Sequence, residues 1–186
     1  MATATKMTKD GYELLSAAIA GGRLTFTKAV IGNSFRNGAI VTPTAQEIFA
    51  LTDVISSQLT LPIASVTNNG TGTATVTFHL TNETLTTGLA MREIGIFAKI
   101  DSGEEKLYCY WHCGESSDFV PVPEEMLVDM YISVVTVIAE ATNITLVIDS
   151  GVDKVTRSEF AEHVNDTSIH ANLLNLSKEE FANAIW

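Results

Sequence analysis

The sequence predicts an α+β fold, a mainly antiparallel β domain with two short helices, followed by a short helical C-terminal extension. Three observations predict it. Between Leu24 and Ile148, runs rich in Val, Ile, Thr and aromatic residues recur between turn signals. Two capping-box patterns, Asp10–Glu13 and Thr44–Glu47, open short helical stretches in the first third of the chain. Beyond Gly151 the strand pattern gives way to two further capped, amphipathic segments. The domain is therefore placed at residues 1–150 and a linker or assembly segment at 151–186.

Each element has a local reason. A helix starting at Asp10-Gly-Tyr-Glu13 has Leu14, Leu15, Ala18 and Ile19 as its apolar face, and Gly21-Gly22 ends it. Leu24 to Gly32 then alternates, with Leu24, Phe26 and Val30 on one side, and reads as a strand. Asn33 to Pro43 is a polar loop carrying Phe35, Arg36 and Gly38, and Thr44 caps a helix reaching about Leu51. Leu59, Leu61, Ile63 and Val66 lead into the turn Asn68-Asn69-Gly70, and Ala74 to Leu80 returns from it as a β-hairpin. Asn82 to Gly88 is a loop. Leu89 to Ile100 is a strand containing Arg92-Glu93-Ile94-Gly95-Ile96-Phe97, and Lys106 to Cys113 pairs back across Asp101-Ser-Gly-Glu. After Pro121 and Pro123 come strands at about Asp129 to Ala139 and Asn143 to Ile148. Tyr131 to Ala139 is apolar on both faces, so cover on both sides, by the helices or by another subunit, is expected.

A chain of 186 residues with 46% hydrophobic residues can bury a real core without staples, and this composition excludes disorder for most of its length. Eleven Lys and Arg stand against 22 Asp and Glu, a formal net charge of −11. Such a surface repels phosphate backbones, so no nucleic-acid partner is expected. The N-terminus lacks the continuous apolar core of a secretory signal. The longest apolar run, Tyr131 to Ile148, is broken by Glu140 and Asn143, so no membrane span is expected. The sequons at Asn82 and Asn143 carry no weight without export.

Candidate chemistry is sparse. Cys109, His112 and Cys113 have the side chains of a zinc site, but on a strand His112 faces away from both cysteines and no second ligand pair follows. The two cysteines would lie roughly 13 Å apart on an extended strand, too far to bridge, and read as small buried hydrophobes. Gly32-Asn-Ser34-Phe-Arg36 has Arg where a nucleophile elbow needs its second glycine. Tyr108, Tyr110 and Trp111 offer flat rings for sugar stacking, or else core and subunit contacts. His163 and His170, seven apart with Asp166 between them, would suit a metal or anion on a symmetry axis, or else sit on the surface. No catalytic constellation emerges, so no enzyme activity and no cofactor are expected.

The order of features has a known counterpart. The opening GYELLSAAIAGGRLTFTKAVIG, then AMREIGIFAKI with an acidic turn, KLYCYWHC, a Pro-containing loop and ISVVTVIAEATNITLVID resemble the N-terminal domain of phage tail-collar fibre proteins. These are the tail fibres of contractile-tailed phages and phage-tail-like bacteriocins. The resemblance spans about residues 8 to 150, with Arg92–Phe97 and Leu24–Gly32 as its most specific segments. The tail resembles the passage into a fibre shaft as far as His170 and departs from that pattern at Ala171–Asn175. The resemblance implies a structural virion protein, usually a trimer, that attaches a tail fibre to the baseplate. It further implies synthesis in the bacterial cytoplasm and, as partners, baseplate proteins and a downstream shaft or adaptor. A glycan-binding receptor module is the alternative function.

The residues agree with a component of an assembly. The extension's Phe160, Val164, Leu173, Leu174, Leu176, Phe181 and Ile185 form the expected interface for self-association or neighbour docking. The loop around Phe35 and Arg36 is a possible docking loop, with Arg92-Glu93 a further candidate in which Arg92 reads rather as an internal ion-pair partner. The apolar ending Ala-Ile-Trp186 suggests that more chain or a partner follows.

Overall fold

A computed structural model describes residues 3–114, 117–139, 141 and 144–146 of the chain. Thr8 caps helix α1 (Lys9–Ile19) by accepting the Gly11 N–H on its hydroxyl. The cap thus lies two residues before the expected Asp10, which sits in the first turn and favours the helix dipole from there. Leu14, Leu15 and Ala18 are buried as expected, whereas Ile19 is exposed. Gly11 has a steric reason to be glycine, because a Cβ there would lie 2.0 Å from the Tyr108 carbonyl oxygen. α1 therefore lies directly on strand β10 (Lys106–His112).

The main sheet is built from β3 (Leu24–Gly32), β6 (Ser57–Asn68), β7 (Thr73–Thr81), β9 (Glu93–Ile100), β10 and β12 (Asp129–Val137). Two-residue strands β1 (Thr3–Ala4) and β2 (Lys6–Met7) flank it, in the order β1-β12-β7-β6-β3-β9-β10-β2. The large pairings are antiparallel; among the described residues only β1 on β12 and β13 (Ile144–Leu146) on β3 run parallel. β13 pairs with Leu24–Phe26, while β6 pairs with the other half of β3, Lys28–Gly32.

β1 and β2 lie at opposite ends of this strand order yet are separated by Thr5 alone. The N-terminal segment consequently draws the two sheet edges together. Thr5 donates its N–H and its hydroxyl to the Val135 carbonyl at 3.2 and 3.0 Å, and the Tyr108 hydroxyl donates to the Val137 carbonyl at 2.6 Å. Inside this curl sits the main core, with Leu24, Phe26, Ile31, Ile63, Val76, Phe78, Leu80, Ile96 and Tyr108. Val30, Ile48, Val54, Phe97, Leu107 and Tyr110 form a second, smaller core that includes the buried face of α2 (Ala45–Ala50). Thr44 and Glu47 make the expected capping box at the start of α2.

Several expectations need correction. Val30 does not share a side with Leu24 and Phe26: a register shift between Phe26 and Lys28 inverts the alternation, so Ala29 and Ile31 join the main core and Val30 the second. Leu89–Ile100 is two strands, β8 (Leu89–Met91) and β9, broken at Arg92. The polar loop contains a hairpin, β4 (Phe35–Arg36) with β5 (Ala39–Ile40), turned by Asn37 and Gly38 at φ 55° and 83°. β11 (Asp118–Val120) pairs with β8 and was not expected. Within the single chain Met130, Tyr131 and Val137 of β12 are exposed, so the helices do not supply the cover expected on both of its faces. The helical extension falls outside the described residues.

Candidate functional site

Glu93 opens strand β9 directly opposite Gly32, the last residue of β3. It is fully buried, and an acidic side chain in an apolar run must be satisfied by the fold. Its Oε1 accepts the N–H groups of Ser34 at 3.0 Å and Ser56 at 2.8 Å. Its Oε2 accepts the Ile55 N–H and the Tyr110 hydroxyl, both at 2.8 Å. One carboxylate thus ties together the base of the β4–β5 hairpin, the loop after α2 and strand β10. Gly32 makes room for it: a Cβ there would lie 2.3 Å from Oε1 and 2.4 Å from the Ser56 carbonyl oxygen. Gly95, further along β9, is likewise confined, since a Cβ there would meet Val54 Cγ1 at 2.6 Å.

Ser34 and His112 extend this cluster and resemble a nucleophile with its base. Their protons point the wrong way for that chemistry. His112 Nδ1 accepts the Gly114 N–H at 2.8 Å, so the neutral ring carries its proton on Nε2, which faces Ser34 Oγ at 3.0 Å. Ser34 in turn donates its hydroxyl to the Val41 carbonyl at 2.6 Å. The imidazole is therefore a donor to the serine and has no lone pair aimed at it. Burial holds the His112 pKa below its ordinary value against the pull of Glu93. Burial together with the Glu93 carboxylate pushes the Tyr110 phenol up. The arrangement fixes a hairpin in place.

What it fixes is the predicted docking loop. Phe35 and Arg36 form β4, and both are exposed, with Phe35 paired to the exposed Ile40. Arg36 also lines a shallow depression with Val41, Pro43, Glu47, Leu51 and Ile55. On the helices, the exposed rings of Tyr12 and Phe49 approach to 6.1 Å.

A second buried polar residue organises a different surface. Asn82, after β7, is fully buried. Its amide nitrogen donates to the carbonyls of Pro121 and Met126, both at 2.8 Å, and its Oδ1 accepts the Val128 N–H at 2.8 Å. The segment between β11 and β12 is wrapped around this one side chain. Burial also makes Asn82 inaccessible as a glycosylation acceptor.

The other sequence candidates fare unequally. Glu93 is not a docking group, because its carboxylate is wholly internal. Arg92 spans the break between β8 and β9, donating its N–H to the Gly32 carbonyl and accepting the Cys113 N–H. Tyr108 and Tyr110 are fully buried, which removes two of the three rings proposed for sugar stacking and leaves the half-buried Trp111. Cys109 is a buried free thiol, which burial pushes up to about 11, and Cys113 is half-buried. His112 turns to Ser34 and Gly114 as described above. Among the described residues no three or more His, Cys, Asp or Glu side chains are grouped to hold a metal. Phe160, Val164, Leu173, Leu174, Leu176, Phe181 and Ile185, and the pair His163 and His170, lie outside the described residues.

Neither anchor was recognised from the sequence as an anchor. For Glu93 the signal was a lone acid heading the apolar run Ile94–Ala98; for Asn82, which sits where an apolar strand ends, there was little to separate it from any loop asparagine.

A family model described as phage tail-collar fibre protein, N-terminal, matches residues 1–158. No curated protein and no solved structure matches the chain. The two segments most specific in the sequence, Leu24–Gly32 and Arg92–Phe97, are paired strands whose contact at Gly32 and Glu93 builds the first anchor.

Proposed function

The chain belongs to the phage tail-collar fibre proteins, structural components of the phage tail, and from that premise we propose that it attaches a tail fibre to the baseplate of a contractile tail or phage-tail-like particle. The family match over residues 1–158 carries this reading. Two features of the fold support it. The polar clusters are spent on holding loops in place, and those loops present large apolar side chains to solvent. In this reading residues 1–150 are the attachment domain, with Phe35 and Arg36 among its contacts. Residues 151–186 form a helical segment in which Phe160, Val164, Leu173, Leu174, Leu176, Phe181 and Ile185 join copies, as a trimer, and pass into a shaft or adaptor. The function involves no bond-making step.

Particles made in a strain lacking the gene test the reading directly. They should assemble without fibres, and the purified full chain should have the mass of a trimer by light scattering. Particles that keep their fibres without this chain would overturn the proposal.

A further inference from the structure

The segment around Asn82 displays Phe119, Met126, Leu127 and Met130, which are 64%, 58%, 63% and 48% exposed. Isolated surface apolar residues need no explanation, but four large ones between Phe119 and Met130 do. Their positions are held before any partner arrives. β11 is paired to β8 and lays the Phe119 ring over Gly88, where a Cβ would lie 2.4 Å from the ring. Asn82 fixes the backbone at Pro121, Met126 and Val128. Ordering costs that usually weaken binding are thus largely met in advance.

Charge identifies the occupant. The same part of the fold carries the exposed acids Glu83, Asp118, Glu124, Glu125 and Asp129. Residues 37–91 and 107–153, which supply all of it, contain no Lys or Arg. A second copy is a poor match, because each copy carries a formal net charge of −11 and would bring acid against acid. We infer that Phe119, Met126, Leu127 and Met130 form a preformed docking surface for another tail protein, one whose contact face is apolar at its centre and rimmed by Lys or Arg. The inference rests on the proposed attachment role and names the surface and partner chemistry for it. Apolar burial supplies the affinity, and the acidic rim supplies steering and rejection of acidic partners.

The test is made on tail particles produced with each variant in place of the native gene. Met126→Asp/Leu127→Asp puts charge at the centre; Glu124→Lys/Glu125→Lys reverses the rim and touches no buried group. Each should lower the amount of the chain per purified particle more than tenfold, while the free full chain keeps its melting temperature and its mass in solution. Unchanged particle content would overturn the inference. So would a change in the mass of the free chain, since the surface would then join copies to one another. Were the wild-type chain itself missing from purified tails, the attachment role would fail first, a distinguishable result.

Discussion

Two regions of this protein solve the same problem with opposite chemistry. At one, Glu93 gathers the β4–β5 hairpin, the loop after α2 and β10; at the other, Asn82 gathers the segment between β11 and β12. Glu93 meets four donors and no acceptor, so a side chain with acceptors alone fits. Asn82 meets two carbonyls and one N–H, so only an amide, donor and acceptor at once, fits. The difference shows that a buried polar anchor is read by the polarity of its partners. Near-isosteric exchanges between acid and amide should therefore fail at both places for opposite reasons.

The largest effect is expected at the acid. Glu93→Ala would strand the buried Ser34 N–H, the part-buried N–H groups of Ile55 and Ser56 and a buried phenol, a loss of about 4 kcal/mol by the usual cost of unsatisfied donors. That corresponds to roughly 10 °C in a thermal melt of a domain this size. Glu93→Gln should recover some of it, because one acceptor survives while its NH2 group faces donors. A melt of Glu93→Gln as stable as wild type would break the comparison.

Asn82→Asp should cost less, about 2–3 kcal/mol, because one bond to Val128 survives while a carboxylate is pressed against the Pro121 and Met126 carbonyls. Its signature should be local. Amide exchange should quicken around residues 118–130 while Ser34, Ile55 and Ser56 stay protected. Loss of protection at both anchors together would show that they form one cooperative unit.

The smallest effect concerns His112. Its folded pKa lies below the unfolded value, so the unfolded chain binds the extra proton first as pH falls. The stabilisation is complete above the unfolded value of about 6.5 and declines as pH drops through it towards the lower folded value. Denaturant melts between pH 7.5 and 5 should show this slope in the wild type and a shallower one in His112→Asn. Equal slopes would remove His112 from the first anchor's energetics.

Much of the frame was legible in the sequence. The β6–β7 hairpin followed from Asn68-Asn69-Gly70, and the α2 start from Thr44 and Glu47, because both signals act within a few residues. The α1 cap was missed by two positions, since Asp10 and Thr8 are both good caps and the choice depends on Thr8 also reaching the Leu107 carbonyl on β10. Val30 was assigned to the wrong face because nothing in the local pattern announces a bulge at the middle of β3. Of the candidate site, Phe35 and Arg36 were legible as exposed, whereas Tyr108 and Tyr110 were not legible as core: alternating aromatics look alike on either face until the sheet curls.

By itself the sequence determined the strand content, the two helices and the family, because periodicity, caps and turn residues are short-range and motif order survives in one dimension. Only the tertiary structure decided that Gly32 and Glu93 meet, that Thr3–Met7 bridges two sheet edges, and that Asn82 holds Pro121, Met126 and Val128. Those contacts join residues tens of positions apart. Whether a buried polar group is a liability or an anchor depends on which distant donors and acceptors the fold brings to it, and local pattern contains no information about that.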